Sequence, residues 1–168
     1  MIERDLTLKI GDTLPAGTFL KAEETGPAFV DAGEVFAGKR VALFGLPGAY
    51  TGTCSTLHVP SFIRVAPALR DKGVDAIVCI SVNDPFVMAH WGETTGGTAA
   101  GITFLADSDG SFTKAIGMDY TVPQSGFFGR CKRFSAFVED GVVKQMNIEQ
   151  QRGVCEMSAG ETLLDQIA

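Results

Sequence analysis

Three short apolar runs punctuate this chain, and none alternates with polar positions as a strand with one wet face would. Arg40-Val-Ala-Leu-Phe-Gly-Leu46 and Val74-Asp-Ala-Ile-Val-Cys-Ile-Ser-Val82 read as strands covered on both sides, and Ile102-Thr-Phe-Leu-Ala106 as a third strand. Between the first two, the pattern predicts a helix from about Thr53 to Asp71. Pro60 and Pro67 fall inside it, so a kink or break is expected near the residue preceding each. Asn83-Asp84-Pro85 supplies a cap and then a first-turn proline, which predicts a helix to about Thr94. Gly96-Gly97 to Gly101 is a loop and Asp107-Ser-Asp-Gly110 a turn. Ser111 to Ile116 is a short helix ended by Gly117. Residues 16–22 and the loop at Gly26-Pro27 suggest an N-terminal strand and hairpin. A second hairpin is predicted from Arg133–Val138 and Val142–Met146, because Asp140-Gly141 supplies positive φ angles between them. Ser158 to Ile167 closes as a helix, with Ser158 and Glu161 at capping-box spacing. Strands alternate with helices and a hairpin and helix finish the chain. This order predicts an α/β protein, a mixed central sheet with helices on both faces.

The chain has 168 residues without repeat, low-complexity tract or linker, so one domain over 1–168 with a substantial core is expected. A net charge of −6 argues against nucleic acid or an anionic membrane as partner. No apolar run approaches the roughly 20 residues that cross a bilayer. Met1–Ile10 lacks the charged-then-apolar order of a signal peptide and the Arg-rich bias of a transit peptide, so a cytoplasmic location is expected. Four cysteines, Cys54, Cys79, Cys131 and Cys155, form no C-x-x-C pair and no regular spacing. Neither a zinc site nor a dithiol redox pair is signalled, and free thiols are expected in a reducing compartment. Gly45–Gly52 and Gly96–Gly101 lack the Lys-Ser/Thr of a phosphate loop, so no nucleotide cofactor is signalled.

Reactive chemistry concentrates in Pro47-Gly-Ala-Tyr-Thr51-Gly-Thr-Cys54. A Cys in the first turn of a helix faces unpaired N–H groups and the positive end of the helix dipole. Both favour the thiolate, the form that attacks electrophiles. Thr51 and Thr53 can cap the helix or hydrogen-bond a substrate. His58, four residues beyond Cys54, reads as a structural histidine near a proline rather than as a base. His90 beside Trp91 reads as packing. Cys79 lies mid-strand, where a buried apolar cysteine is the default, and Cys131 reads as a bystander.

These residues resemble a type II peroxiredoxin nearly end to end: Ile10-Gly-Asp-Thr-Leu-Pro15, Pro47-x-x-x-Thr51-x-x-Cys54, His58-Val-Pro60, Cys79-Ile-Ser-Val-Asn-Asp84, Trp91-Gly92 and Lys132-Arg133-Phe134. The resemblance implies a thioredoxin-like fold, which the element order also matches best, and a thiol peroxidase working without metal or haem. It implies reduction of hydrogen peroxide and organic hydroperoxides through a Cys54 sulfenic acid, with electrons from glutathione and glutaredoxin or from thioredoxin, in a homodimer. By position Cys54 corresponds to the peroxidatic cysteine, Pro47 and Thr51 to its motif partners, and Arg133 to the active-site arginine. Gly52 stands where Pro is frequent, Tyr50 where Phe is usual and Ser61 where Gly is common. Cys155 lies in the region of a resolving cysteine of mammalian relatives but misses an ungapped match counted from Asn147, and Cys79 has that role in some relatives. A Cys54–Cys155 disulfide and direct reduction of Cys54 by an external thiol both stay open. A thiol-disulfide oxidoreductase and a non-catalytic sensor using Cys54 are the competing functions; the missing C-x-x-C weighs against the first.

Overall fold

The computed structural model describes residues 5–168, so Met1–Arg4, the start of the segment read for a leader, lies outside the described residues. Among the described residues, nine strands run in chain order: β1 (Thr18–Glu23), β2 (Gly26–Asp31), β3 (Arg40–Gly45), β4 (Ala76–Ser81), β5 (Ile102–Ala106), β6 (Asp119–Val122), β7 (Phe127–Cys131), β8 (Phe134–Glu139) and β9 (Val142–Ile148). Five α-helices accompany them: α1 (Ala32–Phe36), α2 (Val59–Asp71), α3 (Pro85–Thr95), α4 (Ser111–Ala115) and α5 (Gly160–Gln166). Seven strands form one mixed sheet in the order β2-β1-β5-β4-β3-β8-β9. Its centre, β3-β4-β5, is parallel and its outer pairs are antiparallel.

Successive side chains of a strand point to opposite faces, and here both faces are dry. Ala42, Phe44, Ile77 and Cys79 join a core under α2, α3 and α5; Val41, Leu43, Val78 and Ile80 join a second core with Phe36 and Phe112 of α1 and α4. That double burial is why the central strands read as unbroken apolar runs. Each fully buried Phe or Leu in these layers contributes about 1.5–3 kcal/mol relative to exposure.

The expected caps and turns at two places form as read. Asp84 accepts the Val87 N–H at 2.9 Å, and α3 ends on Gly96 at φ 82°. Asp140 and Gly141 take φ of 47° and 75°, joining β8 to β9 with Glu139 opposite Val142. Strand β8 starts at Phe134, which leaves Arg133 in the connection rather than on the strand.

Four expectations need correction. The helix expected over Thr53–Asp71 holds a wide π turn at Cys54–His58, closed by the Val59 N–H bonding the Cys54 carbonyl. The break expected just before Pro60 is therefore present, as the π turn gives way to α2 at Val59, and Pro60 itself falls in the first turn of α2, where a missing N–H costs little. Pro67 does not break α2, because it sits on the exposed side where water can reach the freed carbonyl, while Val65, Ala66 and Leu69 are buried. The capping box at Ser158 does not form: Ala159 precedes α5, and Glu161 pairs with Arg64 at 2.8 Å. Helix α1 and the two-stranded β6-β7 sheet were not expected, since four or five residues with mixed exposure carry no periodic signal.

Candidate active site

Strand β3 delivers the chain into the loop Leu46–Thr51, which is held from beneath by β4. Asn83 Oδ1 accepts the Ala49 N–H at 3.0 Å and the Ser81 hydroxyl at 2.7 Å. Tyr50 takes φ of 66°, uncommon for a residue with a side chain. Its hydroxyl hydrogen-bonds His90 Nδ1 and its ring stacks on that imidazole. His90 is therefore exposed and pinned to the loop, not packed in the interior as its place beside Trp91 suggested. A Cβ on Gly48 would stand 2.5 Å from Arg130 Nη1, and that guanidinium donates to the Pro47 carbonyl at 3.2 Å.

Helical structure starts at Gly52 and Thr53, so Cys54 does stand in the first turn. Thr51 does not cap it with its side chain, however. Its hydroxyl donates to the Gly48 carbonyl at 2.7 Å, which leaves its oxygen free to accept. The Trp91 indole N–H donates to Ser55 Oγ at 3.0 Å and fastens the π turn to α3. Cys54 itself is fully buried. Arg133 Nη2 donates to its Sγ at 3.1 Å, across 79 residues of sequence. Of the clustered cations Arg130, Lys132 and Arg133, only Arg133 hydrogen-bonds the thiol.

Sequence reasoning missed what holds that arginine. Arg133 Nη1 lies 3.0 Å from His58 Nδ1, and His58 Nε2 lies 3.0 Å from the Ser158 carbonyl. A guanidinium can only donate and a carbonyl can only accept. The imidazole must then be neutral, with its proton on Nε2. Burial, reinforced by the positive charge of Arg133, pushes the His58 pKa down to about 3. The Phe44 and Phe62 rings, stacked at 4.1 Å, wall in the imidazole. Its spacing from Cys54 was the available signal, but its partners come from two distant segments.

The segment bearing Ser158 is tied down in turn. Glu149 Oε1 accepts from the Glu156 N–H, the Ser158 N–H and the Ser158 hydroxyl at 2.7–3.0 Å, which is why Ser158 is diverted from capping α5. Gly160 N–H donates to Ser61 Oγ at 2.9 Å, so the serine at position 61 joins α2 to α5. A Cβ on Gly160 would stand 2.6 Å from the Ser61 carbonyl oxygen. Gly52 has open space around it and no steric need to be glycine.

All four cysteines are free thiols. Burial pushes the Cys79 and Cys131 thiols up. Cys79 is enclosed within the central sheet opposite Phe44 and Phe104, and Cys131 points at the Lys132 carbonyl. Cys155 is half-buried in the Glu149-tied loop, its thiol 3.9 Å from Ser158 Oγ, and burial pushes it up too. Over Pro47, Thr51 and Arg133 opens a cleft of about 640 Å³, walled by Tyr120, Phe127 and Ile148. Among the described residues, no cluster of three His, Cys, Asp or Glu side chains could hold a metal ion, and no helix is long and apolar enough to cross a membrane.

Residues 9–164 match the Redoxin family. The chain is 40% identical over 159 residues to Peroxiredoxin-2B of Arabidopsis thaliana, covering 93% of this chain and 96% of that one. The chain belongs to the type II peroxiredoxins. It is also 43% identical over 134 residues to the mitochondrial Peroxiredoxin-2F of Arabidopsis thaliana, covering 80% of this chain and 66% of that relative. Its fold superimposes on reduced Prx3 of Vibrio vulnificus in complex with hydrogen peroxide, with TM-score 0.87, 41% identity, and coverage of 96% of this chain and 100% of the other. The protein is thus a thiol-dependent peroxidase on a thioredoxin-like scaffold.

The neutral imidazole of this peroxiredoxin makes an acid-stability prediction. His58 titrates near 6.5 when unfolded and about 3 when folded, so on acidification the unfolded chain takes up the proton first. Its contribution is full above about pH 6.5 and is lost as pH falls towards 3, at up to about 1.4 kcal/mol per pH unit. Urea midpoints of the wild type are expected to fall over this window and those of His58→Gln to fall less steeply. Parallel profiles would refute the account.

Proposed function

We propose that Cys54 is the peroxidatic nucleophile, with Arg133, Thr51 and Pro47 completing its site. The Cys54 sulfur attacks one oxygen of a hydroperoxide, and the O–O bond breaks. The leaving oxygen takes a proton and departs as water or an alcohol, and Cys54 becomes a sulfenic acid. The single observation that carries this reading is the 3.1 Å hydrogen bond from Arg133 Nη2 to Cys54 Sγ. Arg133 keeps further N–H groups free of both its partners, so it can steady the leaving oxygen as charge grows there. The Thr51 oxygen can accept the peroxide proton, since its own hydrogen is committed to Gly48. Pro47 covers the site without a competing N–H. Stopped-flow oxidation of the reduced protein by hydrogen peroxide, with mass spectrometry of Cys54, tests the reading; a reaction that leaves Cys54 unmodified refutes it.

For the second half-cycle we favour direct reduction of the sulfenic acid by an external thiol, from glutathione with glutaredoxin or from thioredoxin, over an internal disulfide. Cys155 is the candidate for an internal partner. Freeing its loop would break the Glu149 bonds and the Ser158–His58 link that orients Arg133. Cys155→Ser is accordingly expected to retain turnover with glutathione and glutaredoxin. Stalling of that variant as sulfenic acid with every donor would make Cys155 obligatory instead. Exposed Tyr50, Phe86 and Phe128, on the catalytic loop, α3 and β7, are consistent with a homodimer, which sedimentation equilibrium would test. A cytoplasmic location is likewise part of the proposal, and imaging of the full chain in its own cell decides it.

A further inference from the structure

The cleft is far larger than its simplest substrate requires. Hydrogen peroxide is not much bigger than water, which takes about 30 Å³ in the liquid, whereas the space above Pro47 and Thr51 is about 640 Å³, the size of a site for an organic ligand. Its lining has two characters. Tyr120, Phe127 and Ile148 give it an apolar wall, with Tyr120 and Phe127 edge to face at 6.2 Å. Lys132, Arg133 and Arg152 line it as well, against one carboxylate, Glu149. That carboxylate already accepts three hydrogen bonds from its own loop. Arg133 is committed to Cys54 and His58. Among the described residues the Lys132 ammonium and the Arg152 guanidinium have no hydrogen-bond or ion-pair partner. A protein with net charge −6 has thus gathered unpaired positive charge at the mouth of one partly apolar cleft.

We propose that this cleft is a specificity subsite for amphipathic organic hydroperoxides that carry a carboxylate: the apolar body lies on Phe127 and Ile148, and the carboxylate is held by Lys132 and Arg152. The inference rests on Cys54 being the nucleophile. The distal peroxide oxygen passes to Cys54, the O–O bond breaks, and the remainder leaves as the hydroxy acid. Glutathione is the alternative occupant: its two carboxylates also suit the cations, but it has no hydrocarbon to cover the apolar wall.

The test uses a matched pair, linoleic acid hydroperoxide and its methyl ester, both below their aggregation concentrations. Stopped-flow oxidation of the reduced protein, read by tryptophan fluorescence, gives rate constants that owe nothing to the reductant. The wild type is expected to prefer the acid over the ester by about fivefold, the worth of two exposed ion pairs. In the double variant K132Q/R152Q, and in the wild type at high salt, the ratio is expected to fall towards one. Taking the ratio divides out general damage to the site. Equal rates for acid and ester in the wild type, or an unchanged ratio in the double variant, would overturn the subsite. So would an unchanged ratio accompanied by a raised KM for glutathione, which would give the cleft to the reductant. Failure of Cys54 to react even with hydrogen peroxide would instead refute the parent reading.

Discussion

Cys54→Ser is expected to lower peroxide reduction to less than about a hundredth of the wild-type rate while leaving the fold intact. Serine is nearly isosteric, and the site is closed over by the same Phe44 and Phe62 layer, so circular dichroism and the urea midpoint are expected to change little. The hydroxyl lacks the nucleophilicity of a thiolate, and no neighbouring base is placed to activate it. His58 cannot serve as that base, because its Nδ1 lone pair is occupied by Arg133. Nor can another cysteine take over. Cys79 and Cys131 are sealed in the cores, and burial pushes the half-buried Cys155 thiol up, away from the thiolate. Retention of more than about a hundredth of the wild-type rate would remove Cys54 from the mechanism.

Arg133→Lys is expected to cost about a hundred- to a thousandfold in kcat/KM, although the positive charge is kept. Losing one donor at a transition-state oxyanion costs about 2.7–4 kcal/mol in comparable sites. Arg133 works as a fork: one nitrogen meets Cys54 Sγ at 3.1 Å while the other meets His58 at 3.0 Å. A single ammonium on a flexible stem cannot hold both partners in that planar arrangement. Arg130→Lys is the control, since Arg130 donates to the Pro47 carbonyl and lies over the Phe127 ring but makes no hydrogen bond to the sulfur. A neutral Arg133→Lys together with a crippling Arg130→Lys would show that the wrong arginine had been assigned.

The central layer of this protein is legible because local pattern and tertiary environment agree there. Strands β3 and β4 are buried on both faces and look it, and Asp84 and Asp140-Gly141 act through neighbours a few residues away. Legibility fails where a distant contact outvotes a local preference. Ser158 has capping-box spacing to Glu161, yet three bonds to Glu149 and the pairing of Glu161 with Arg64 outweigh that motif. Pro67 is tolerated because of which side of α2 faces water, a fact set by packing. In the site, Pro47, Thr51 and Cys54 lie within one turn-and-helix motif and could be read together. The pairing of Cys54 with Arg133 came only from the family resemblance, and the role of His58 was signalled by no more than its spacing from Cys54, since its partners are 75 and 100 residues away.

That last span sets an order of events in the life of the molecule. The strands, the catalytic loop and Arg133 are all made before the ribosome reaches Ser158, whose carbonyl fixes the imidazole that steadies the guanidinium. A nascent chain therefore carries its thiol and its arginine for a time without the brace between them. The brace closes with α5, when Gly160 docks on Ser61 and brings Ser158 to His58. The brace on the Cys54 site is thus supplied by a segment made 100 residues after the histidine it holds.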